Sequence, residues 1–261
     1  MTAEGERELE NMARATKSDS KGAAPAPQKR RKRARIGAPE MTLVETSESE
    51  ATELQVYKAI RRALMSGALE PGARISSRSI AESLGVSAMP VREALKRLEA
   101  DGVVESQPKR GYVVQQLSVE ELQEILKIRL HLEGMLVREA AKKITPAAVS
   151  KIRKLEQRVA EAPDLPTSLA LNYQMHFEAY RWANMPIALS MIENVWLRLG
   201  PALYHLGGEY TGATAHESHA KMVEGLAKGD ADVAEKGLRN DLVNAAKVME
   251  KSLRQVSRHQ G

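Results

Sequence analysis

Six amphipathic stretches, separated by breaks of only a few residues, occupy the chain between residues 119 and 256. They run over 119–143, 146–162, 167–184, 187–206, 215–228 and 230–256, with apolar residues recurring at the spacing of one helix face. The breaks fall at Thr145-Pro146, between Pro163 and Pro166, at Met185-Pro186, at Gly207-Gly208 and at Gly229-Asp230. Proline lacks the helical N–H and glycine tolerates positive φ, so each break stops a helix. Helices joined by short loops pack antiparallel, which makes this region an expected all-helical antiparallel bundle. The apolar supply agrees: aromatics are 3% of the 261 residues, with a single Phe, while Leu, Ala, Val and Met are plentiful. That mixture suits an aliphatic helical core better than a β-sandwich. No internal repeat is present.

Ahead of the bundle the pattern is shorter and more punctuated. Val56, Ile60, Ala63 and Leu64 share a helix face, which Gly67 and Pro71-Gly72 terminate. A second helix is expected from Ser77 to Leu84, capped by Ser76, with Ile80, Ala81 and Leu84 facing inward and Gly85 closing it. Ser87 offers a hydroxyl to cap a third helix, whose first turn holds Pro90 and whose buried stripe is Val91, Ala94, Leu95 and Leu98. Gly102 ends that helix. Residues 103–106 and 112–114 then read as two short strands around the turn Gln107-Pro108-Lys109-Arg110-Gly111. Two helices about a tight turn, followed by a hairpin, describe a winged helix-turn-helix, a module whose second helix enters the DNA major groove.

Charge follows the same division. The net charge is +5, of which residues 51–116 contribute +3 (10 basic, 7 acidic), while residues 1–50 and 117–261 contribute +1 each. A basic module beside a neutral one fits a polyanion partner for the first and a different task for the second. Residues 1–50 hold too few apolar side chains for a core and read as a disordered basic tail. Its run Lys29-Arg30-Arg31-Lys32-Arg33-Ala34-Arg35 is either an accessory arm on DNA phosphates or a solvated, self-repelling segment. The expected organisation is thus a tail (1–50), a winged helix-turn-helix domain (51–116), a helical effector-binding and dimerisation domain (117–256) and a short tail (257–261). The absence of cysteine excludes disulfides, thiol catalysis and Cys-ligated metal, and suits a reducing cytoplasm. No run of about 20 apolar residues suggests a membrane span, and the acidic start MTAEGERELE lacks the apolar stretch of a secretory signal.

With its stripe buried, the third helix turns Ala88, Met89, Arg92, Lys96 and Arg97 outward. Arg92 is the candidate for base readout, because a guanidinium donates two bonds to guanine O6 and N7, and Met89 suits a thymine methyl. Arg78 and Ser87 are placed for phosphates. At the hairpin tip, Lys109, Arg110 and the bare backbone of Gly111 suit the adjacent minor groove. The plainer alternative is a solvated face in which Arg92 and Lys96 pair with Glu93 and Glu99. The ordered combination of cap, turn glycine, buried stripe, basic face and basic wing favours DNA binding.

These residues carry a family resemblance. Gly67-Ala68-Leu69-Glu70-Pro71-Gly72, Gly85-Val86-Ser87-Ala88-Met89-Pro90-Val91-Arg92-Glu93-Ala94-Leu95 and Leu98-Glu99-Ala100-Asp101-Gly102-Val103-Val104, with Gly111, resemble the N-terminal domain of GntR-type bacterial transcription regulators. The resemblance implies DNA contacts from Arg78 and Arg92. It also marks a departure, since the position after the turn serine, commonly a DNA-contacting Arg in that family, is Ala88 here; a different operator is implied.

The bundle resembles the FCD effector domain (FadR-type) of the same family, through Ile128-Arg129 with Glu133 one turn later and through Asn184-Met185-Pro186. Such domains often hold a divalent metal on a carboxylate and three histidines; the corresponding positions here are Asn172, His176, His219 and Asp241. Asn172 and His176 share a helix face at i, i+4. Two imidazoles, a carboxylate and an amide oxygen are acceptable ligands for zinc, nickel, manganese or iron. The loss of one imidazole weakens the case for zinc or nickel and favours harder ions. The alternative is a metal-free polar pocket in which His176 and His219 bond an effector. Arg129 either pairs with the carboxylate of a small organic acid or forms a salt bridge to Glu133. Tyr180 joins the expected effector contacts. Tyr173, Met175, Phe177, Trp182, Met185, Met191 and Trp196 form either a bundle core or the wall of a pocket for an aromatic acid.

Taken together, the sequence describes a homodimeric, ligand-responsive regulator of the bacterial cytoplasm, at the nucleoid. It is expected to act as a repressor on a palindromic double-stranded operator, with no catalysis and with a hinge around residues 112–120. The rivals are a metal-dependent enzyme fused to a DNA-binding domain, for which no general base, nucleophile elbow or phosphate loop is evident, and a non-specific architectural DNA binder.

Overall fold

The computed structural model describes residues 52–108, 110–206 and 212–258; the N-terminal tail with its basic run, Lys109 and the Gly207-Gly208 break lie outside them. The first helix, α1 (Thr52–Met65), buries Val56, Tyr57, Ala59, Ile60, Ala63 and Leu64 along one face. A two-residue strand, β1 (Arg74–Ile75), precedes α2 (Ser77–Leu84) and α3 (Ala88–Ala100), and β2 (Val104–Gln107) and β3 (Gly111–Val114) follow. Ser76 caps α2 by accepting from the Ser79 N–H, and Gly85 ends it with φ +68, the left-handed conformation that glycine adopts without a Cβ clash.

Two strands were expected and three are present. The sheet is antiparallel in the order β1-β3-β2, with Ile75 opposite Tyr112 and Val104 opposite Val114. Arg74-Ile75 is too short to show alternation, so its pairing is fixed by β3 rather than by its own sequence. The third strand also redefines Gly111. This residue has φ +84, and a Cβ there would lie 2.6 Å from the Ile75 carbonyl oxygen. The direction a Cβ would take therefore faces β1, where the wing is closed, and the half-exposed residue owes its missing side chain to that close approach.

The bundle consists of α4 (Val119–Ala141), α5 (Pro146–Ala160), α6 (Leu165–Arg181), α7 (Pro186–Leu199), a 3-10 segment (Gly200–Leu206), α8 (Gly212–Lys228) and α9 (Ala231–Arg258). Ser118 and Glu121 form a reciprocal capping box on α4, Thr145 caps α5 ahead of Pro146, and Asp164 caps α6 through the Thr167 N–H. The segment expected as one helix over 187–206 is divided at Gly200-Pro201. Pro201 has no N–H to give to the preceding turn, so the chain tightens into a 3-10 path. Among the described residues no helix is long and apolar enough to cross a membrane.

The winged module packs on the bundle through α1, which touches α7 and the 3-10 segment. Arg198 of α7 donates to the Asp101 carbonyl at 2.9 Å, and the Tyr57 hydroxyl donates to the Asp101 carboxylate at 2.9 Å. Only residues 115–118 join β3 to α4, and the Gln115 N–H is itself bonded to the Val103 carbonyl. Substitution Gly111→Ala forces a Cβ against Ile75 in a strained backbone conformation, and is expected to cost about 1–3 kcal/mol in urea denaturation. Unchanged stability would contradict the close approach of β1 to β3.

Candidate functional site

Helix α3 buries Val91, Ala94, Leu95 and Leu98 against the module's core. Its opposite face leaves Met89, Arg92 and Lys96 in solvent, Met89 at 75% exposure. Ser87 stands at the N-cap position, but its hydroxyl makes no capping bond. The expected cap is therefore absent, and the hydroxyl remains at the exposed start of the helix. Arg78 pairs with Glu82 at 2.9 Å and Lys96 with Glu93 at 2.8 Å, all four side chains being well exposed. Exposed pairs of this kind contribute about 0–1 kcal/mol, so either cation can turn to a phosphate at little cost. Glu99 is engaged elsewhere, accepting from the Ser106 N–H. Arg97, grouped with the outward face from sequence, is exposed and also lies over the Tyr57 ring at 4.1 Å. That contact ties α3 to α1. Arg110 is exposed at the wing tip.

The second constellation lies inside the bundle. His176 on α6, His219 on α8 and Asp241 on α9 are all buried, and one ligand atom from each falls within 4.8 Å of the others. Asp241 places Oδ1 at 3.1 Å from His219 Nε2 and Oδ2 at 3.4 Å from His176 Nε2. Burial opposes the charge on Asp241, yet the two imidazoles hold its carboxyl well below the usual carboxylate range. Burial pushes His176 down. Among the described residues the Asn172 side-chain oxygen and His219 Nδ1 are buried without a hydrogen-bond partner, and the buried Nε2 atoms of His176 and His219 face only the Asp241 carboxylate. A buried polar atom without a partner costs about 1–3 kcal/mol, so two beside an incompletely bonded carboxylate–imidazole cluster make this place a candidate binding site.

Behind this cluster lies a fully paired layer. Arg129 Nε donates to Glu133 Oε1 at 2.5 Å, and the Arg129 guanidinium stacks on the Trp196 ring at 4.4 Å. Burial disfavours the guanidinium charge, but Glu133 more than compensates and holds Arg129 above its ordinary value. Tyr180 donates to Glu133 Oε2 at 2.5 Å and lies 3.0 Å from His176 Nδ1. Burial and the Glu133 carboxylate raise its phenol well above the ordinary range, so the hydroxyl keeps its proton.

A pocket opens against the cluster, lined by Arg129, Ser168, Asn172, Trp196, His219 and Asp241 with apolar walls from Leu165, Leu169, Leu203 and Leu206. Of the expected effector contacts, Arg129 and His219 line this pocket, while His176 and Tyr180 lie behind its wall. The salt bridge from Arg129 to Glu133, one of its two expected roles, is formed. Of the expected metal ligands, Asn172, His219 and Asp241 line the pocket, and His176 adjoins Asp241. The aromatic group is mostly core: Met175, Phe177 and Tyr180 are fully buried, Met191 is on the surface, and Trp196 alone of the expected set reaches the pocket. Ser168 was missed, although its i, i+4 spacing to Asn172 places both on one face of α6.

Comparison with known proteins now gives this geometry a context. The family model described as bacterial regulatory proteins, gntR family, matches residues 52–114, and the FCD domain model matches residues 124–244. The chain is 36% identical over 156 residues to the HTH-type transcriptional regulator McbR of Escherichia coli (strain K12), spanning 59% of this chain and 71% of that one. It is 32% identical over 186 residues to a probable D-xylose utilization operon transcriptional repressor of Paenarthrobacter nicotinovorans, spanning 70% and 82%. The solved structure of E. coli McbR/YncC superposes with a TM-score of 0.69 at 29% identity, covering 81% of this chain and 100% of that one. The chain belongs to the gntR family of bacterial regulatory proteins, with an FCD domain following its helix-turn-helix, and is a DNA-binding transcription regulator.

Proposed function

We propose that this regulator is a homodimeric repressor whose grip on a palindromic operator is set by a small organic acid bound in the bundle pocket. The observation that carries the proposal is the buried cluster of Asn172, His176, His219 and Asp241, with the Asn172 oxygen and His219 Nδ1 unpartnered among the described residues, beside a pocket that also holds Arg129. A core needs no such group, and a ligand carboxylate would meet the pocket through the Arg129 guanidinium and a His219 N–H, with a cation or donor hydrogen of the ligand on the acceptor atoms. A ligand shifts the DNA-binding equilibrium only by its different affinity for two states of the protein. The pocket's Leu203 and Leu206 belong to the 3-10 segment that α1 of the winged module rests on, which gives such a ligand a direct route to the DNA-binding domain.

The same residues suit a divalent ion. Asn172, His176, His219 and Asp241 would hold it, a donor set of two imidazoles, one carboxylate and one amide oxygen that zinc, nickel, manganese and iron(II) accept. When bound, the ion supplies a fixed positive charge for an effector carboxylate. Dimerisation is proposed through α4 and α7, which pack on each other and carry exposed Ile128, Met135, Ile187 and Met191. Ile187 is 78% and Met191 53% exposed, a placement that a second copy of the chain would relieve. One recognition helix per chain requires that second copy to read a palindrome.

Three outcomes are expected. At fixed salt, Arg92→Ala weakens operator binding by about 1–3 kcal/mol and flattens base preference at one position; undiminished discrimination would remove Arg92 from base readout. Purified protein loaded with zinc or manganese and desalted retains one ion per chain, and His176→Ala retains none; equal metal content in both would refute the ligand set. Ile187→Glu with Met191→Glu shifts the sedimenting species from dimer to monomer, and a persistent dimer would place the interface elsewhere.

A further inference from the structure

Tyr180 stands outside every role so far assigned, and its hydrogen bonds are informative. A phenol has one proton to donate. Glu133 is an acceptor only, held in place by Arg129, and its Oε2 sits 2.5 Å from the Tyr180 oxygen. A bond from a hydroxyl to a carboxylate is charge-assisted and about twice as strong as one between neutral partners, so the phenol proton goes to Glu133. The Tyr180 oxygen can then only accept from its second neighbour, His176 Nδ1, at 3.0 Å. Were the phenol to donate to Nδ1 instead, Glu133 Oε2 would exchange a 2.5 Å charge-assisted bond for the 3.4 Å contact from Arg129 Nη2 alone.

We infer that Tyr180 is a positioning residue that holds His176 with its proton on Nδ1, so that Nε2 is presented toward Asp241 as an acceptor. The consequence is chemical. Nε2 lies 3.4 Å from Asp241 Oδ2 and makes no hydrogen bond. With the proton on Nε2 instead, His176 could donate to Asp241 and close the cluster upon itself. With the proton on Nδ1, two electron-rich atoms face one another, and a cation or a donor hydrogen of a ligand is what they can share. The chain Arg129–Glu133–Tyr180 thereby keeps the cluster open to a ligand. It does so from three side chains that are themselves buried and satisfied. The effect on metal affinity rests on the ligand set proposed above; the position of the proton does not.

Long-range proton–nitrogen NMR on the full chain, labelled at histidine nitrogen and freed of metal with EDTA, reads the proton position directly. The His176 resonance is assigned by its loss in His176→Gln. Wild type is expected to carry the proton on Nδ1, and a proton on Nε2 alone would overturn the inference. In Tyr180→Phe the Nδ1 acceptor is gone, and the population is expected to move to the Nε2–H form; an unchanged Nδ1–H form would overturn it. Glu133→Gln gives Tyr180 a donor amide, which frees the phenol to donate to Nδ1 and is expected to move the histidine proton to Nε2. Should either variant fail to fold, the wild-type spectrum still decides. Calorimetric titration with zinc is expected to show about 10–100-fold weaker binding to Tyr180→Phe than to wild type. If wild type binds no zinc while its spectrum shows Nδ1–H, the metal proposal fails and the positioning role stands.

Discussion

Ionised and ionisable groups in the interior of the bundle impose the constraint on which the second domain depends. Arg129, Glu133, His176, His219 and Asp241 are all buried. Each charge taken from water costs several kcal/mol unless partners recover it. Arg129 and Glu133 recover theirs within one helix turn, aided by Tyr180 and by the Trp196 ring. Asp241 faces imidazoles on two other helices, His219 Nε2 at 3.1 Å and His176 Nε2 at 3.4 Å. The second arrangement is incomplete, since among the described residues His219 Nδ1 and the Asn172 oxygen have no partner. A fully paired layer thus supports a partly paired one, and the partly paired layer meets the pocket.

The position of that pocket matters as much as its chemistry. Its walls draw on α6, α7 and the 3-10 segment, and α1 of the DNA-binding module touches all three. Arg198, in the last turn of α7, bonds the Asp101 carbonyl at the C-terminus of α3. The recognition helix is therefore connected to the pocket by packed and hydrogen-bonded elements rather than by the covalent connector alone. That connector is short, with Gln115 held to the sheet and Ser118 held to α4, which leaves little of the expected 112–120 hinge free.

How much of this was legible in the sequence depended on whether the signal was local. Helices declare themselves by apolar spacing and by caps, and Ser76, Gly85 and Thr145 stand among those signals, whereas the break between Pro163 and Pro166 hid the Asp164 cap. Strand β1 could not, because two residues carry no period and its partner lies about 40 residues away. The apolar pattern over 187–206 reads as one helix, but Pro201 withholds an N–H and the helix gives way to a 3-10 path at Gly200. In the site, the i, i+4 pair Asn172 and His176 was a local signal, whereas His219 and Asp241 were attached to it by family resemblance alone. Tyr180 also sits at i+4 from His176, and its spacing was legible. Its partner Glu133, 47 residues earlier, was not, so Tyr180 was expected in the pocket and stands behind it.

The central claim is that the α3 face reads a defined sequence and that an acid in the pocket changes that reading. It is tested most directly by the ratio of affinities for a selected operator and a scrambled duplex, measured at one salt concentration with and without a carboxylate ligand found by screening. The account predicts a ratio of about 10³ or more in the absence of ligand, and a loss of operator affinity, with scrambled binding unchanged, when the acid is added. Equal affinity for the two duplexes would contradict it.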